Sequence, residues 1–378
     1  MRILTTLLMT LLLAACNTTP IRDITTSSTA TPQTEEERRL WLASGRLNRQ
    51  IRRQELIYRD ETLRSYVESI GEKLYPELAD ALKFQLLNSP ELNAFVLPNG
   101  SIYINIGLLA RLDNEAQMAT ILAHEVSHFT RQHSVRQQRN SNSSSVAALG
   151  VTLITGIPLS GQLFAATAIT GYSRELEKEA DLLGFERMQT AGYATTESVK
   201  TFEHLLAEVK ALEIDRPLFF SSHPRLEERI KSFNQLIDEM APHNGATHEE
   251  RYLERTAKLR AEILERYLSL QQYKTLILML GKDEQIDRYP AYWPYFLGEA
   301  YRLRNEEGDL EAARQAFNRA LSQAPDFARS HKGLGLLNMK QDDKPAAISH
   351  FQRYLEMAPD TKDRTYIEKY IASLKEKD

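Results

Sequence analysis

The chain has 378 residues, of which 42% are hydrophobic and 26% are charged, and this composition is typical of a folded globular protein. Its formal net charge of −4 provides no basic excess of the kind that indicates a nucleic-acid partner. The single cysteine excludes a disulfide framework and a cysteine-based zinc ribbon, and the length predicts two or three domains.

The N-terminus has the pattern of a bacterial export signal that ends in a lipidation site. One arginine precedes an apolar segment that is too short to span a bilayer, and Leu-Ala-Ala directly before Cys16 resembles a lipobox. We expect residues 1–15 to be cleaved and Cys16 to be acylated; the alternative is an ordinary secretory signal cut at the same place. Asn17, rather than Asp, resembles the sorting signal that directs enterobacterial lipoproteins to the outer membrane.

The elements of the first half follow in chain order. Residues 16–34 are rich in Thr, Ser and Pro, which predicts a flexible, lipidated tether. Spaced Leu and Ile among charged residues predict one or two amphipathic helices over 35–78. Pro98, Asn99 and Gly100 predict a tight turn between two strands. The strands and the long helix that follows them are predicted at 84–87, 93–96, 101–106 and 114–136.

The middle of the chain has a long segment without charged residues, 140–173. Its apolar part, 146–169, is interrupted by Gly and Pro and is too short on either side for a membrane span, so we expect short helices that cover one side of the site. The alternative is a loop that dips into a membrane. Further helices are predicted at 173–190, 195–212 and 224–240. Residues 241–245 are the predicted domain boundary.

A repeat of 34 residues is visible towards the C-terminus, and this is the period of tetratricopeptide helix pairs. The matching positions are Ala313, Phe317 and Pro325, then Ala347, Phe351 and Pro359. Stacked helix pairs of this kind form a concave surface that binds peptides or partner proteins. The alternative is a helical bundle without a repeat architecture.

The chemistry is indicated by the sequence H-E-V-S-H at residues 124–128. His124 and His128 are four residues apart on a predicted helix, so both imidazoles leave the same face and can share one metal ion. Glu125 lies beside them, in the position of a general base that deprotonates water. His133, His243 and His248 are expected to face solvent.

A hydrolytic zinc site needs a third protein ligand. Three carboxylates on the predicted helix 173–190 are candidates by spacing alone: Glu175, Glu177 and Glu179. Glu177 and Asp181 are four residues apart, so one could bind the ion while the other accepts a hydrogen bond from a ligand histidine.

These residues resemble the signature of metallopeptidase family 48, in which H-E-x-x-H is followed by S-R-x-x-E-x-x-A-D. The resemblance covers residues 50–235 and includes Asn93-Ala94-Phe95, Gly107-Leu-Leu and Ser222-His223-Pro224. The family includes CAAX prenyl endopeptidases and periplasmic β-barrel assembly-enhancing proteases, and the repeats make the chain most similar to the latter. The lipobox is a departure from that group.

The resemblance implies one zinc ion per chain, bound by His124, His128 and Glu177, with Asp181 as the hydrogen-bonding partner. It also implies that strand residues Asn93, Ala94, Phe95 and Val96 form an edge that pairs with extended substrate. His223 is expected either to stabilise the oxyanion or to bind zinc as a fourth ligand; the alternative is a turn residue before Pro224.

We therefore expect an α+β, mostly helical protein in which a gluzincin-type zinc peptidase domain with a small β-sheet (35–241) precedes an all-α tetratricopeptide-like domain (249–378). The favoured hypothesis is a zinc endopeptidase, lipid-anchored to the outer membrane and facing the periplasm, that degrades misfolded or misassembled envelope proteins. Its repeats are expected to contact the outer-membrane assembly machinery, and no nucleic acid is expected. The alternative is a periplasmic chaperone or adaptor with latent or minor protease activity.

Overall fold

The computed structural model of the chain describes five ranges of residues: 20–140, 172–212, 226–240, 244–281 and 290–376. Several predicted features lie outside these ranges, namely the signal 1–15, Cys16, the apolar segment 146–169, His223 and His243. Within them, no helix is long and apolar enough to cross a membrane.

Two amphipathic helices open the fold, as the sequence predicts. Helix α1 (Glu35–Arg53) is capped by Thr34, whose side chain accepts a hydrogen bond from the amide of Glu37, and α2 (Glu61–Leu74) is capped in the same way by Asp60. Helix α1 buries Leu47 and Ile51 against the sheet, because these residues share one helix face.

A three-stranded sheet follows, with strands β1 (Lys83–Leu87), β2 (Ala94–Val96) and β3 (Ser101–Asn105). The spatial order is β1-β3-β2, with β3 parallel to β1 and antiparallel to β2. The predicted turn between β2 and β3 is confirmed: Gly100 has a φ of +76°, and a Cβ there would lie 2.4 Å from the carbonyl oxygen of Ala81. Strand β2 is therefore an edge of the described sheet.

The predicted helix 114–136 is divided into two. After the short helix α3 (Ile106–Arg111), helix α4 (Glu115–Thr130) carries the H-E-V-S-H sequence and ends where Gln132 adopts a positive φ of 46°. Helix α5 (His133–Asn140) then starts in a new direction. The prediction of one continuous helix was wrong, and the break decides where His133 lies.

Three helices pack around α4 and complete the peptidase-like part: α6 (Arg174–Thr190), α7 (Glu197–Leu212) and α8 (Leu226–Met240). Helices α4 and α6 approach closely because Gly184 has no side chain; a Cβ there would lie 3.1 Å from the backbone nitrogen of His124. Phe202 and Phe233 stack at 5.3 Å between α7 and α8.

Helix α9 (Glu249–Ser269) joins the two parts of the chain. Its Tyr252 hydroxyl donates to the carbonyl of Leu109 at 2.8 Å, and its Arg251 pairs with Glu115 at the start of α4. The residues just before it, Ala246 and Gly245, pack on the backbone of Tyr193. One hydrophobic core therefore continues from the sheet through α9 into the repeats.

The C-terminal part is helical throughout its described residues. Its helices are α10 (Tyr273–Leu280), α11 (Tyr292–Arg304), α12 (Asp309–Gln323), α13 (Ala328–Lys340), α14 (Lys344–Met357) and α15 (Arg364–Lys375). Phe317 and Phe351, which are equivalent in the repeat, are both fully buried. Each packs on a glycine of the preceding helix, Gly298 or Gly335, where a Cβ would lie within 2.7 Å of the ring. The small residues thus let paired helices touch.

The N-terminal segment differs from the predicted flexible tether. Its described part, residues 20–34, lies on the body of the protein: Ile24 is buried, and its amide donates to the carbonyl of Thr130 at 2.8 Å. The side chain of Gln132 donates to the carbonyl of Arg22 at 2.8 Å. The polar composition does not predict this docking, because one apolar side chain and a few hydrogen bonds are enough to hold the segment on the protein.

The contact between Arg251 and Glu115 yields a stability prediction. Burial raises the pKa of Glu115, but hydrogen bonds from Arg251, Tyr66 and Tyr193 outweigh it and hold the pKa below its ordinary value. Arg251→Gln should lower the free energy of unfolding by about 1–3 kcal/mol at neutral pH, since the buried carboxylate loses its cation. Urea denaturation would measure the difference.

The matched control is Arg255→Gln, because Arg255 is exposed on the same helix. A carboxyl with a lowered pKa stabilises the fold above its unfolded-state pKa, and that contribution disappears as the pH falls through the folded-state pKa. The difference between wild type and Arg251→Gln should therefore shrink in acid. Equal stabilities at neutral pH would contradict the prediction.

Candidate metal centre

Two helices bring three ligand-type side chains together in the interior. His124 and His128 project from α4 and Glu177 projects from α6, all at least 95% buried. The Nε2 atoms of the two histidines are 3.0 Å apart, and Glu177 places Oε2 3.6 Å from that of His124 and Oε1 3.6 Å from that of His128. The structure thus selects among the three carboxylates left open by spacing: Glu175 is exposed and Glu179 pairs with Arg136.

The spacing of these donor atoms fits a small divalent cation. Tetrahedral ligands about 2.1 Å from a zinc ion are about 3.4 Å from one another, close to the observed 3.0–3.6 Å. The charge fits as well. Three buried carboxylates, Glu125, Glu177 and Asp181, face one buried guanidinium, Arg229, so the ionised cluster carries two negative charges that a dication would balance.

Asp181 contacts His124 on the side away from Glu177. Its Oδ1 lies 2.9 Å from Nδ1 of His124, so the imidazole can donate there and keep Nε2 for the ion. Arg229, from α8, binds both oxygens of Asp181, at 2.6 and 3.1 Å, and lies 3.6 Å from Glu177. Its guanidinium also lies over the ring of Phe202 at 4.1 Å. Arg229 therefore holds the two carboxylates of α6 in place.

His133 is buried beside the second ligand histidine, so the expectation that it faces solvent was wrong. Its Nδ1 lies 2.7 Å from Nδ1 of His128, and its Nε2 lies 3.5 Å from the carboxylate of Glu179. Burial is the main reason that the pKa of His133 falls to about 4, against the opposing charge of Glu179. A neutral His133 can accept a hydrogen bond from His128 and leave Nε2 of His128 for the ion.

The sequence hid this contact for a geometric reason. Five residues of a continuous helix rotate a side chain by about 140° and would place His133 on another face from His128. The break at Gln132 changes the direction of the chain and returns His133 to its neighbour.

Tyr172 is a second residue that the sequence reasoning did not assign. Its ring stacks on His128 with centroids 4.0 Å apart, and its hydroxyl lies 3.0 Å from the Oγ of Ser134. Burial raises the pKa of Tyr172 above its ordinary value, and the charges of Glu125 and Glu177 act in the same direction. Glu125 itself is 1% exposed on α4.

Strand β2 lies next to α4 and is an edge of the described sheet with no further strand paired to it, although its residues Ala94, Phe95 and Val96 are buried. Antiparallel pairing alternates, and the bonds from Asn105 to Asn93 and from Leu97 to Ser101 show which residues face β3. The backbone groups of Ala94 and Val96 consequently point away from β3, towards the unpaired edge. The side-chain oxygen of Asn93 is buried and has no hydrogen-bond partner among the described residues.

A mainly apolar pocket adjoins the second ligand histidine. It lies between the end of β2 and the end of α4, and the docked N-terminal segment closes one side of it. Its lining residues are Ile24, Val96, Leu97, Pro98, His128, Phe129, Gln132, Ser134 and Val135. An extended chain placed along β2 could direct one side chain into this pocket.

Comparison with known proteins agrees with this geometry. Residues 59–237 match Peptidase family M48, and residues 295–361 match the Tetratricopeptide repeat family. The beta-barrel assembly-enhancing protease of Escherichia coli is 29% identical over 227 residues, which are 56% of this chain and 46% of that protein. The protein of the same name from Yersinia pestis is 28% identical over 348 residues, 87% of this chain and 68% of the relative.

A eukaryotic relative matches a part of the chain. Mitochondrial metalloendopeptidase OMA1 of Saccharomyces cerevisiae is 29% identical over 168 residues, 42% of this chain and 49% of that protein. The chain thus spans about half the length of the Escherichia coli and yeast relatives. The predicted resemblance and the predicted repeats are confirmed, as is the mostly helical fold with a small sheet.

The contact between His133 and His128 leads to a prediction about metal affinity. His133→Phe removes the acceptor that orients His128 and should weaken metal binding by about 10–100-fold. His133→Gln retains a polar group that can accept the hydrogen bond and should recover part of the loss. Competition with a chromogenic chelator measures the affinity directly.

His331→Phe is the control, since His331 lies in the repeats, far from the site in sequence. It should bind metal as the wild type does. Wild-type affinity in His133→Phe would show that the contact does not orient the ligand.

Proposed function

Because the chain carries a peptidase family M48 domain ahead of tetratricopeptide repeats, we propose that it is a zinc-dependent endopeptidase of the bacterial cell envelope. The observation that carries the proposal is the buried cluster of His124, His128 and Glu177. Glu125 is buried on α4, the helix that carries the two histidines. Those three residues would bind the zinc ion. The names of the relatives, which are proteases and metalloendopeptidases, support the same class of reaction.

A bound zinc ion would supply a Lewis acid that polarises a peptide carbonyl and makes a water molecule more acidic. The protein supplies the proton transfer: Glu125 takes a proton from the attacking water and delivers it to the leaving amine. Asp181, held by Arg229, keeps His124 in the tautomer that leaves Nε2 for the ion. The buried surroundings of Glu125 strengthen these interactions.

Substrate binding is assigned to the unpaired edge of β2, residues 93–96, which a substrate would reach only where it displaces what buries them. The outward-facing backbone groups of Ala94 and Val96 would pair with an extended substrate chain, with side chains entering the pocket beside His128. Only a segment that is not already folded can add itself to an edge in this way. We therefore assign misfolded or misassembled envelope polypeptides as the substrates.

His223 keeps the two roles proposed for it, stabilisation of the oxyanion or a fourth bond to zinc. The support is its place in the Ser222-His223-Pro224 sequence, close along the chain to Arg229, which lies at the site. A metal-bound structure would distinguish the two roles.

For location, we propose acylation of Cys16 and attachment to the outer membrane, facing the periplasm. The lipobox-like sequence and Asn17 support this assignment. For partners, the repeats are the proposed docking site for the outer-membrane assembly machinery, an assignment suggested by the printed name of the Escherichia coli relative. A purely chaperone function is not favoured, because the ligand residues and Glu125 are all present and buried together.

Hydrolysis of an unfolded substrate tests the proposal. Purified protein should cleave casein, and a chelator should abolish the activity until zinc is restored. Glu125→Gln should lower the turnover number by about 10²–10⁴-fold, since it removes the general base. Its metal content, measured by mass spectrometry, should stay at one ion per chain.

Glu186→Gln serves as the matched control, because Glu186 is exposed on α6. It should retain full activity. Cleavage by Glu125→Gln at the wild-type rate, or cleavage that a chelator does not affect, would contradict the assignment.

The edge strand has its own test. Val96→Pro removes an N–H group that faces the unpaired edge and not β3, so the sheet can keep its internal pairing. The Michaelis constant for an extended peptide should rise by about three- to tenfold, the effect of one lost hydrogen bond. Val96→Ala, which keeps the N–H group, is the control. If both variants raised the constant equally, the side chain and not the backbone would make the contact.

A further inference from the structure

The outward face of helix α1 is strongly basic. All six arginines of this helix are exposed: Arg38, Arg39, Arg46, Arg49, Arg52 and Arg53. Arg38 pairs with the exposed Glu35, and the other five have no ion-pair partner among the described residues. Although the net charge of the chain is −4, one side of helix α1 therefore carries a local excess of positive charge.

Two exposed apolar side chains lie among these arginines. Trp41 is 37% exposed and Leu42 is 52% exposed. At 100° per residue, Leu42 lies between Arg49 and Arg53 on the side opposite Leu47 and Ile51, which are buried against the sheet. Trp41 lies at the margin of this face, one turn from Arg38, and an exposed tryptophan and leucine beside arginines are typical of helices that lie in the headgroup region of a membrane.

The docked N-terminal segment places this helix close to the proposed anchor. Four peptide steps separate Cys16 from Pro20, the first described residue, and they can span at most about 14 Å. Arg22, two residues later, lies 3.8 Å from Glu37 in the first turn of α1. A lipid on Cys16 would therefore hold the start of α1 near the bilayer surface.

We propose that the exposed face of α1 binds the surface of a bilayer that contains anionic phospholipids. The arginines contact phosphate groups, and Trp41 and Leu42 enter the headgroup region. This inference uses the proposed lipidation only to explain why the face is near a membrane; the binding itself needs no lipid on the protein.

The orientation that results has a consequence for the proposed site. Helix α1 lies against the sheet, since Leu47 and Ile51 belong to the same hydrophobic cluster as Phe95 of β2. With the outer face of α1 on the membrane, β2 lies about one helix diameter, roughly 10 Å, above the headgroups. The substrate edge is then held where unassembled chains emerge at a membrane surface.

Vesicle binding tests the proposal. The mature chain, residues 16–378 with Cys16→Ser, is mixed with vesicles of phosphatidylcholine alone or with added phosphatidylglycerol and sedimented. We expect binding only to the anionic vesicles, weakened in high salt. The triple variant Arg38→Gln, Arg49→Gln, Arg53→Gln should bind at least tenfold more weakly. Trp41→Ala should also bind more weakly.

The control variant Arg255→Gln, Lys369→Gln, Lys375→Gln changes the net charge equally at exposed sites elsewhere and should bind as the wild type does. Trp41 fluorescence is a second readout, because the other tryptophan, Trp293, is buried. It should shift to shorter wavelength with anionic vesicles.

Equal binding by the wild type and the arginine variant would overturn the proposal. So would an absence of binding to anionic vesicles, the result expected if this face docks on an acidic protein instead. Casein cleavage by the arginine variant, expected at the wild-type rate, separates this test from that of the proposed function. Labelling with a fatty acid in cells measures the acylation of Cys16 independently of vesicle binding and of casein cleavage.

Discussion

The close crossing of α4 and α6 is the contact on which the candidate site depends. A glycine at residue 184 lets the backbone of α6 lie against the backbone of α4 at His124. At this separation Glu177 and Asp181, one turn apart on α6, reach opposite nitrogens of His124, with Nε2 at 3.6 Å and Nδ1 at 2.9 Å. A larger residue at 184 would separate the helices, and both contacts would lengthen together.

That crossing also concentrates negative charge in the interior, which is costly unless it is balanced. Arg229 is the cation that the fold itself provides, and it contacts both Asp181 and Glu177. One guanidinium cannot balance the three buried carboxylates of Glu125, Glu177 and Asp181. A divalent ion would balance the two negative charges that these four described groups leave when all are ionised. Because Arg229 contacts these carboxylates, helix α8 is part of the site, although it provides none of His124, His128 and Glu177.

The sequence predicts the parts of this site that depend on local periodicity. The four-residue spacing of His124 and His128 is fixed by the helix itself, and the turn at Gly100 follows from residue type. Spacing alone left three carboxylates open, because it does not reveal which face of α6 meets α4. His133 was misplaced because a single residue with positive φ, Gln132, ends the helix without a Gly or Pro to signal it. The docking of residues 20–34 depends on tertiary contacts of Arg22 and Ile24 that composition does not record.

Helix α9 connects the metal helix with the repeats through contacts that neither part can make alone. Arg251 binds Glu115, the first residue of α4, while Tyr252 and Leu259 are buried in the core that both parts share. Because Glu115 begins the helix that carries His124 and His128, the position of α9 bears directly on the start of that helix. Helix α9 therefore contacts the helix that carries His124 and His128 and shares one core with the repeats. A partner that binds to the repeats would be held at a defined position relative to the unpaired edge of β2.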